Sequence, residues 1–158
     1  MALVENRDED VEISRTVKLL GGRKTLNHLV CSRLEAHDLL EKGLPSIVLE
    51  HLVKGVAILR VQHHGLEKAV GISVRTYQRH KEAPRKRLNQ EQSGRTWKFA
   101  EILGRAIEIF GSQSDAEEWL DRPVMALDER KPIDLLSTPA GVESVEQHLT
   151  RLEYGVYT

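Results

Sequence analysis

One cysteine, Cys31, occurs in 158 residues, which excludes an internal disulfide and a thiolate zinc cluster. Its expected place is that of a buried small side chain. No run of 18 apolar residues occurs, so no helical membrane span is expected. The acidic start, Glu5, Asp8, Glu9 and Asp10, is unlike a secretory leader, and a cytoplasmic protein is expected. No glycine loop that would cradle phosphate, no nucleophile motif and no metal constellation is present, which argues against an enzyme and against any cofactor. Seven histidines are present, but adjacent His63 and His64 would point about 100° apart on a helix and cannot face one metal from one face.

What is present is a patterned stretch from Leu66 to Lys81. Leu66–Val70 has the spacing of a short helix, Gly71-Ile72-Ser73 that of a tight turn, and Val74–Lys81 that of a basic helix. Gly71 supplies a positive φ to end the first helix, Ile72 plugs the corner, and Ser73 caps the amides of the second. This is the form of a helix-turn-helix, whose second helix would present Arg75, Gln78 and Arg79 in its first two turns. An ordinary corner between helices with solvated arginines has the same local pattern, and charge distribution weighs toward the helix-turn-helix. Arg60 to Arg105 holds 11 Lys+Arg against 4 Asp+Glu, and Ala106 to Thr158 holds 4 against 11. The formal net charge of −1 therefore hides a basic middle, suited to phosphates, and an acidic end, unsuited to them.

The remaining chain reads as helices throughout, with 40% hydrophobic residues, enough for one domain or two small ones sharing a core. Met1 to Thr16 is charged and weakly patterned, a mobile arm or a frayed first helix. Leu19-Leu20-Gly21-Gly22 ends a helix, and Leu26, Leu29 and Val30 follow in partial helical spacing. Ser32-Arg33-Leu34-Glu35 has capping-box form and opens a helix that stops at Gly43. A helix from about Pro45 to Lys54 carries Val48, Leu49, Leu52 and Val53 on one side, and Gly65 is a weak point where the next helix would kink or split. Pro84 ends the basic helix, and Arg85, Lys86 and Arg87 beside it are placed to grip flanking phosphates.

Asn89–Gln92 caps a helix running to about Phe110. Between Trp97 and Phe110 the residues Lys98, Glu101, Arg105 and Glu108 form one narrow polar stripe and nearly everything else is apolar, so the helix should be buried on most sides, with its aromatics in the core. Gly111 stops it, Ser114-Asp115-Ala116-Glu117 suggests a second capping box, and Leu127–Arg130 reads as a turn. Pro132–Leu136 suits a short helix. The last helix, about Pro139 to Tyr154 with Thr138 as its cap, spaces Val142, Val145, Leu149 and Leu152 on one face.

In this order the residues resemble the Xre/MbcA/ParS-type antitoxins of bacterial toxin-antitoxin pairs, and more narrowly the Xre antitoxins paired with RES-domain toxins. The resemblance covers about Ser32 to Thr158. It rests on Gly43-Leu44-Pro45, on Gly71-Ile72-Ser73 with Thr76 and Arg79, on Leu88, Ala106 and Phe110-Gly111, and on Ala116 before Trp119-Leu120. Pro132, Leu135-Leu136, Thr138, Gly141, Val145, Leu149 and Gly155 continue it. Two positions depart from the pattern: Glu67 stands where a small residue is usual and His80 where an apolar one is, which implies a distorted motif or altered DNA affinity.

The resemblance implies an all-α protein: an N-terminal arm of unclear role (residues 1–31), a helix-turn-helix (Xre/Cro-like) DNA-binding domain (32–88) and a toxin-binding domain (89–158). It further implies that the chain blocks a RES-domain toxin, an enzyme that depletes NAD, and that the complex represses its own operon. Repression requires a homodimer, since two recognition helices one duplex turn apart read a palindromic operator far better than one. The expected DNA-binding residues are Ser73, Arg75, Thr76, Gln78, Arg79, Lys81, Arg85, Lys86 and Arg87. The expected toxin-binding residues are Leu149, Leu152, Tyr154, Gly155, Val156, Tyr157 and Thr158. Gly155 would let the chain turn, so that an apolar tail ending in a carboxylate enters a cavity built for NAD phosphates; the alternative is a tail folded on its own core. The rival function is a stand-alone transcription regulator, which would share the motif and charge split but lack a toxin.

Overall fold

The computed structural model describes residues 2–61 and 63–155, with side chains described for residues 7–60 and 65–155. Among these residues the chain is all-α, with ten helices and no strand. They are α1 (Ala2–Leu19), α2 (Gly22–Leu26), α3 (Arg33–Lys42), α4 (Ser46–Gly55), α5 (Ala57–Val61), α6 (His63–Val70), α7 (Val74–Glu82), α8 (Gln90–Phe110), α9 (Gln113–Leu120) and α10 (Pro139–Glu153). Two 3-10 segments, Met125–Leu127 and Pro132–Ser137, join the last two helices.

Helix α8 is the axis. Asn89 and Gln92 bond each other's backbone amides in a complete capping box, and Gly111 closes the far end at φ 91°. Between them Phe99, Ala100, Ile102, Leu103 and Ala106 are buried, and α1, α3, α6, α9 and α10 all pack on this helix. One apolar cluster runs from Leu20 and Leu49 through Ile72 and Leu103 to Leu149, so both halves of the chain share a core. The polar stripe meets partner helices where it would otherwise meet water. Lys98 pairs with Glu101 at 2.8 Å and with Glu146 of α10 at 3.0 Å. Arg105 bonds Thr150 at 3.0 Å and lies 3.4 Å from Glu153, and Glu108 lies 3.6 Å from Arg15 of α1.

Helix α1 lies docked, not free. Ile13, Thr16 and Leu20 are buried at helical spacing, and Glu12 meets Glu101. Burial first, and then the hydrogen bond with Glu101, raise the Glu12 carboxyl above its ordinary range.

Several local expectations shift. Cys31 is exposed, because the turn before α3 leaves it outside the core, and Leu29 is exposed as well. Ser32 caps α3 as expected, but Glu35 reaches back to the Cys31 amide at 2.6 Å. The cap of α9 is Ser112, which accepts from Asp115, and not Ser114. Glu117 is drawn inward instead: it is buried and accepts from the Ile58 amide at 2.9 Å, capping α5 from 59 residues away. Pro45 sits at the cap position of α4, one residue outside the helix. The turn at residues 128 and 129 carries two successive positive φ values, 56° and 60°.

Gly65 is not a kink. It lies within α6 where that helix crosses α5, and a Cβ there would stand 2.5 Å from the Ile58 carbonyl oxygen. Gly65→Ala should therefore cost about 1–3 kcal/mol by overpacking. Gly94→Ala, on a stretch of α8 with nothing within 4 Å of the added carbon, should instead stabilise by about 0.5–1 kcal/mol. Thermal unfolding of both variants checks the pair; equal effects would contradict the packing described.

Candidate nucleic-acid interface

The corner is built as its residues require. The Gly71 amide donates to Glu67 O at 2.8 Å with φ 70°, Ile72 is 1% exposed beneath it, and Ser73 accepts from the Thr76 amide at 3.1 Å. Helix α7 then turns Tyr77 into the core and leaves Arg75, Gln78 and Arg79 exposed on the opposite face, at the spacing that puts them side by side. Arg79 Nη2 donates to Thr76 Oγ1 at 3.3 Å, and the Ser73 hydroxyl donates to the same oxygen at 3.0 Å, so Ser73, Thr76 and Arg79 form one short chain along the helix start.

Charge pairing separates this helix from much of the rest. Among the described residues, Arg75, Arg79, Lys81, Arg85 and Lys86 form no ion pair, whereas Lys68, Lys98, Arg105 and Lys131 each have a carboxylate within 4.0 Å. A cluster of exposed cations without carboxylate partners repels itself and is relieved by phosphate. Arg87 differs from this group. Its guanidinium donates to Gly43 O at 2.7 Å and its backbone bridges Pro45, so it locks the loop onto the start of α4.

The two unusual residues are both accommodated. Glu67 is exposed and leaves the corner undistorted. His80 faces a polar group in place of an apolar one: its Nδ1 lies 2.7 Å from Ser46 Oγ, whose single proton goes to Lys86 O, so Nδ1–H is the donor. The His80–Ser46–Lys86 chain ties the end of α7 to the start of α4. Burial, then Lys86 and Arg79, hold His80 below its ordinary pKa of 6.5.

The expected partner surface is only partly on offer. Leu149 is fully buried against the molecule's own core and presents no surface. Leu152 is half-buried; Tyr154 is 77% exposed just past α10, and Gly155 turns the chain at φ 68°. Val156, Tyr157 and Thr158 lie outside the described residues, as do the side chains of His63 and His64. Sequence reasoning missed Met125, which is 83% exposed on a 3-10 segment packed against α10. It had no periodicity to mark it. On α3, His37, Asp38 and Glu41 place ligand atoms within 4.8 Å of one another, all on an exposed surface where such spacing is ordinary.

Comparison with known proteins matches this geometry. A family described as the antitoxin Xre-like helix-turn-helix domain matches residues 35–101. Another, described as the antitoxin Xre/MbcA/ParS C-terminal toxin-binding domain, matches residues 105–155. An antitoxin Xre from Yersinia enterocolitica is 33% identical over 73 residues, covering 46% of this chain and 49% of that protein. An antitoxin Xre from Photorhabdus laumondii is 26% identical over 124 residues, covering 75% and 78%. The match thus spans about half the length of the first relative and more of the second. Fold, corner and matches define an all-α chain with an Xre-like helix-turn-helix domain followed by a C-terminal domain of the Xre/MbcA/ParS type. The chain belongs to the Xre/MbcA/ParS antitoxin family.

Two outcomes are expected. Arg79→Ala should abolish specific DNA binding while circular dichroism stays unchanged; retained binding would remove α7 as the reading helix. Because the folded pKa of His80 lies below 6.5, the unfolded chain takes up protons that the fold resists as pH falls below that value. The stability is full above pH 6.5 and lessens below it. His148, lowered by burial and then by Arg151, acts in the same direction. Melting temperatures between pH 7.5 and 5.5 should fall less for His80→Gln than for the parent chain.

Proposed function

We propose that the chain is the antitoxin of a type II toxin-antitoxin pair, which neutralises a RES-domain, NAD-depleting toxin and represses its own operon. The observation that carries the reading is the exposed, unpaired set of cations on α7, in a chain whose following half is acidic and matches a toxin-binding family. It acts by binding, without catalysis or cofactor, as a cytoplasmic homodimer on operator DNA.

In this reading Arg75, Gln78 and Arg79 meet base edges, with Ser73 and Thr76 holding the helix start. A bidentate arginine on guanine contributes about 1–3 kcal/mol of discrimination. Lys81, Arg85 and Lys86 bind phosphates and give salt-dependent affinity without sequence choice. The toxin contact starts at Leu152 and Tyr154 and continues through Gly155, Val156, Tyr157 and Thr158 into the toxin's active site. Exposed apolar side chains near an acidic surface, Tyr154 and Met125, supply the kind of anchors that interfaces use. The acidic sign of this half keeps it off the DNA and leaves it free for a protein.

Removing Gly155 to Thr158 should release toxin activity, read as falling cellular NAD on co-production, while melting temperature and DNA binding remain those of the parent. Neutralisation that survives the deletion would place the contact elsewhere. A chain that purifies from its own host without a protein partner and still binds DNA would favour a stand-alone regulator.

A further inference from the structure

Among the groups that the DNA-reading surface does not use, one arginine stands where three elements meet. Arg95 lies on the second turn of α8 and reaches the back of the corner. Its Nη2 donates to Lys68 O at 2.8 Å, in the last turn of α6, and lies 3.5 Å from Leu136 O in the 3-10 segment 132–137. Its Nε is buried without a partner. A Cβ on Gly71 would overlap the guanidinium, so the turn has no side chain at the point where Arg95 passes. Beside it, Lys68 pairs with Asp134 at 2.8 Å, a second link between the same two elements.

We propose that Arg95 is a positioning residue for DNA reading, which sets the angle of α7 by bracing the Gly71 corner against the segment 132–137. This rests on α7 being the reading helix. The physical case has three parts. The last carbonyls of a helix lack intrahelical partners, and a cation among them is favoured by the helix dipole. A guanidinium is planar and rigid, so bonding carbonyls of two elements fixes their separation, which a lysine ammonium on a flexible stem does less well. Finally, Gly71 alone joins α6 to Ile72 and Ser73, and a corner with φ 70° and no side chain is the softest point between the two helices. Base readout tolerates small displacement only, so a brace at this joint acts on specificity without touching a base. Because Leu136 belongs to the part matched by the toxin-binding family, the same side chain also links that part to the corner.

The test uses the full chain with Arg95→Met, which keeps the apolar stem, and Arg95→Lys. The probe is a duplex of the DNA immediately upstream of the chain's own gene. Arg95→Met should weaken binding about tenfold or more. The slope of log affinity against log salt should stay at the parent value, and amide exchange should rise at Gly71 and Thr76, whose amides are bonded to Glu67 O and Ser73 Oγ. Arg95→Lys should recover part of the affinity. A slope reduced by about 0.9 would make Arg95 a phosphate contact and overturn the proposal. Unchanged exchange at Gly71 and Thr76 would overturn it too. A parent chain that fails to bind the duplex would refute the DNA-reading assignment instead, and the exchange measurement would still decide whether Arg95 braces the corner.

Discussion

From Trp97 to Phe110 helix α8 carries a polar stripe only one residue wide and cannot stand alone in water, and the molecule is arranged around covering it. Helices from both ends of the chain close over α8, and the stripe itself is neutralised by them: Arg15 from α1 and Glu146 and Glu153 from α10. Exposed pairs of this kind contribute little each, about 0–1 kcal/mol. Their consequence is orientation, since they leave α1 and α10 one register in which charge and apolar faces are satisfied together. The two family matches end and begin inside this helix, at residues 101 and 105. The two matched regions therefore meet within one continuous helix and not in a linker.

Backbone groups are shared across that division as well. Glu117 of α9 receives the Ile58 amide, and Gln113 gives its side-chain N–H to Gly55 O at 2.7 Å and to Glu117 at 3.1 Å. The short helix α5 thus has its first turn capped by a carboxylate from the second half of the chain. A buried carboxylate is costly unless it is bonded, and here it is bonded twice. Neither part would be complete if cut at the loop before α8. Glu117 and Gln113 thus tie the second half of the chain to the end of α4 and to α5, which packs on α6 ahead of the corner.

The helices and the corner were readable because their signals are local. Gly71, Ser73, Asn89, Gly111 and Thr138 act on amides and carbonyls within four residues, and each does what its type predicts. Misreadings came where distant chain decided. Ser112-x-x-Asp and Ser114-x-x-Glu both fit a capping pattern, and the second lost because Ile58 claims Glu117. Leu149 lies on a face spaced for packing, but spacing does not say whether the covering surface belongs to the same chain. Cys31 is small and apolar enough for a core, yet its place is set by a turn that only the packing of α1 and α3 determines. Likewise α1 reads as weakly patterned because, among its described side chains, only Ile13 and Thr16 are fully buried, and one of these is a threonine. The partner of each cation was invisible in sequence: Arg87 is held by the Gly43 carbonyl 44 residues away, whereas Arg79 bonds Thr76 on its own helix.

A chain that holds DNA with α7 and a toxin with its C-terminal half must carry both partners at once. The most direct measurement is to tag the N-terminus, purify the chain from its own host at moderate salt, and identify by mass spectrometry what remains bound in stoichiometric amount. The expected result is a single partner protein that depletes NAD when produced alone, in a complex that still binds the DNA upstream of the gene. A chain that binds that DNA yet retains no protein partner would contradict it.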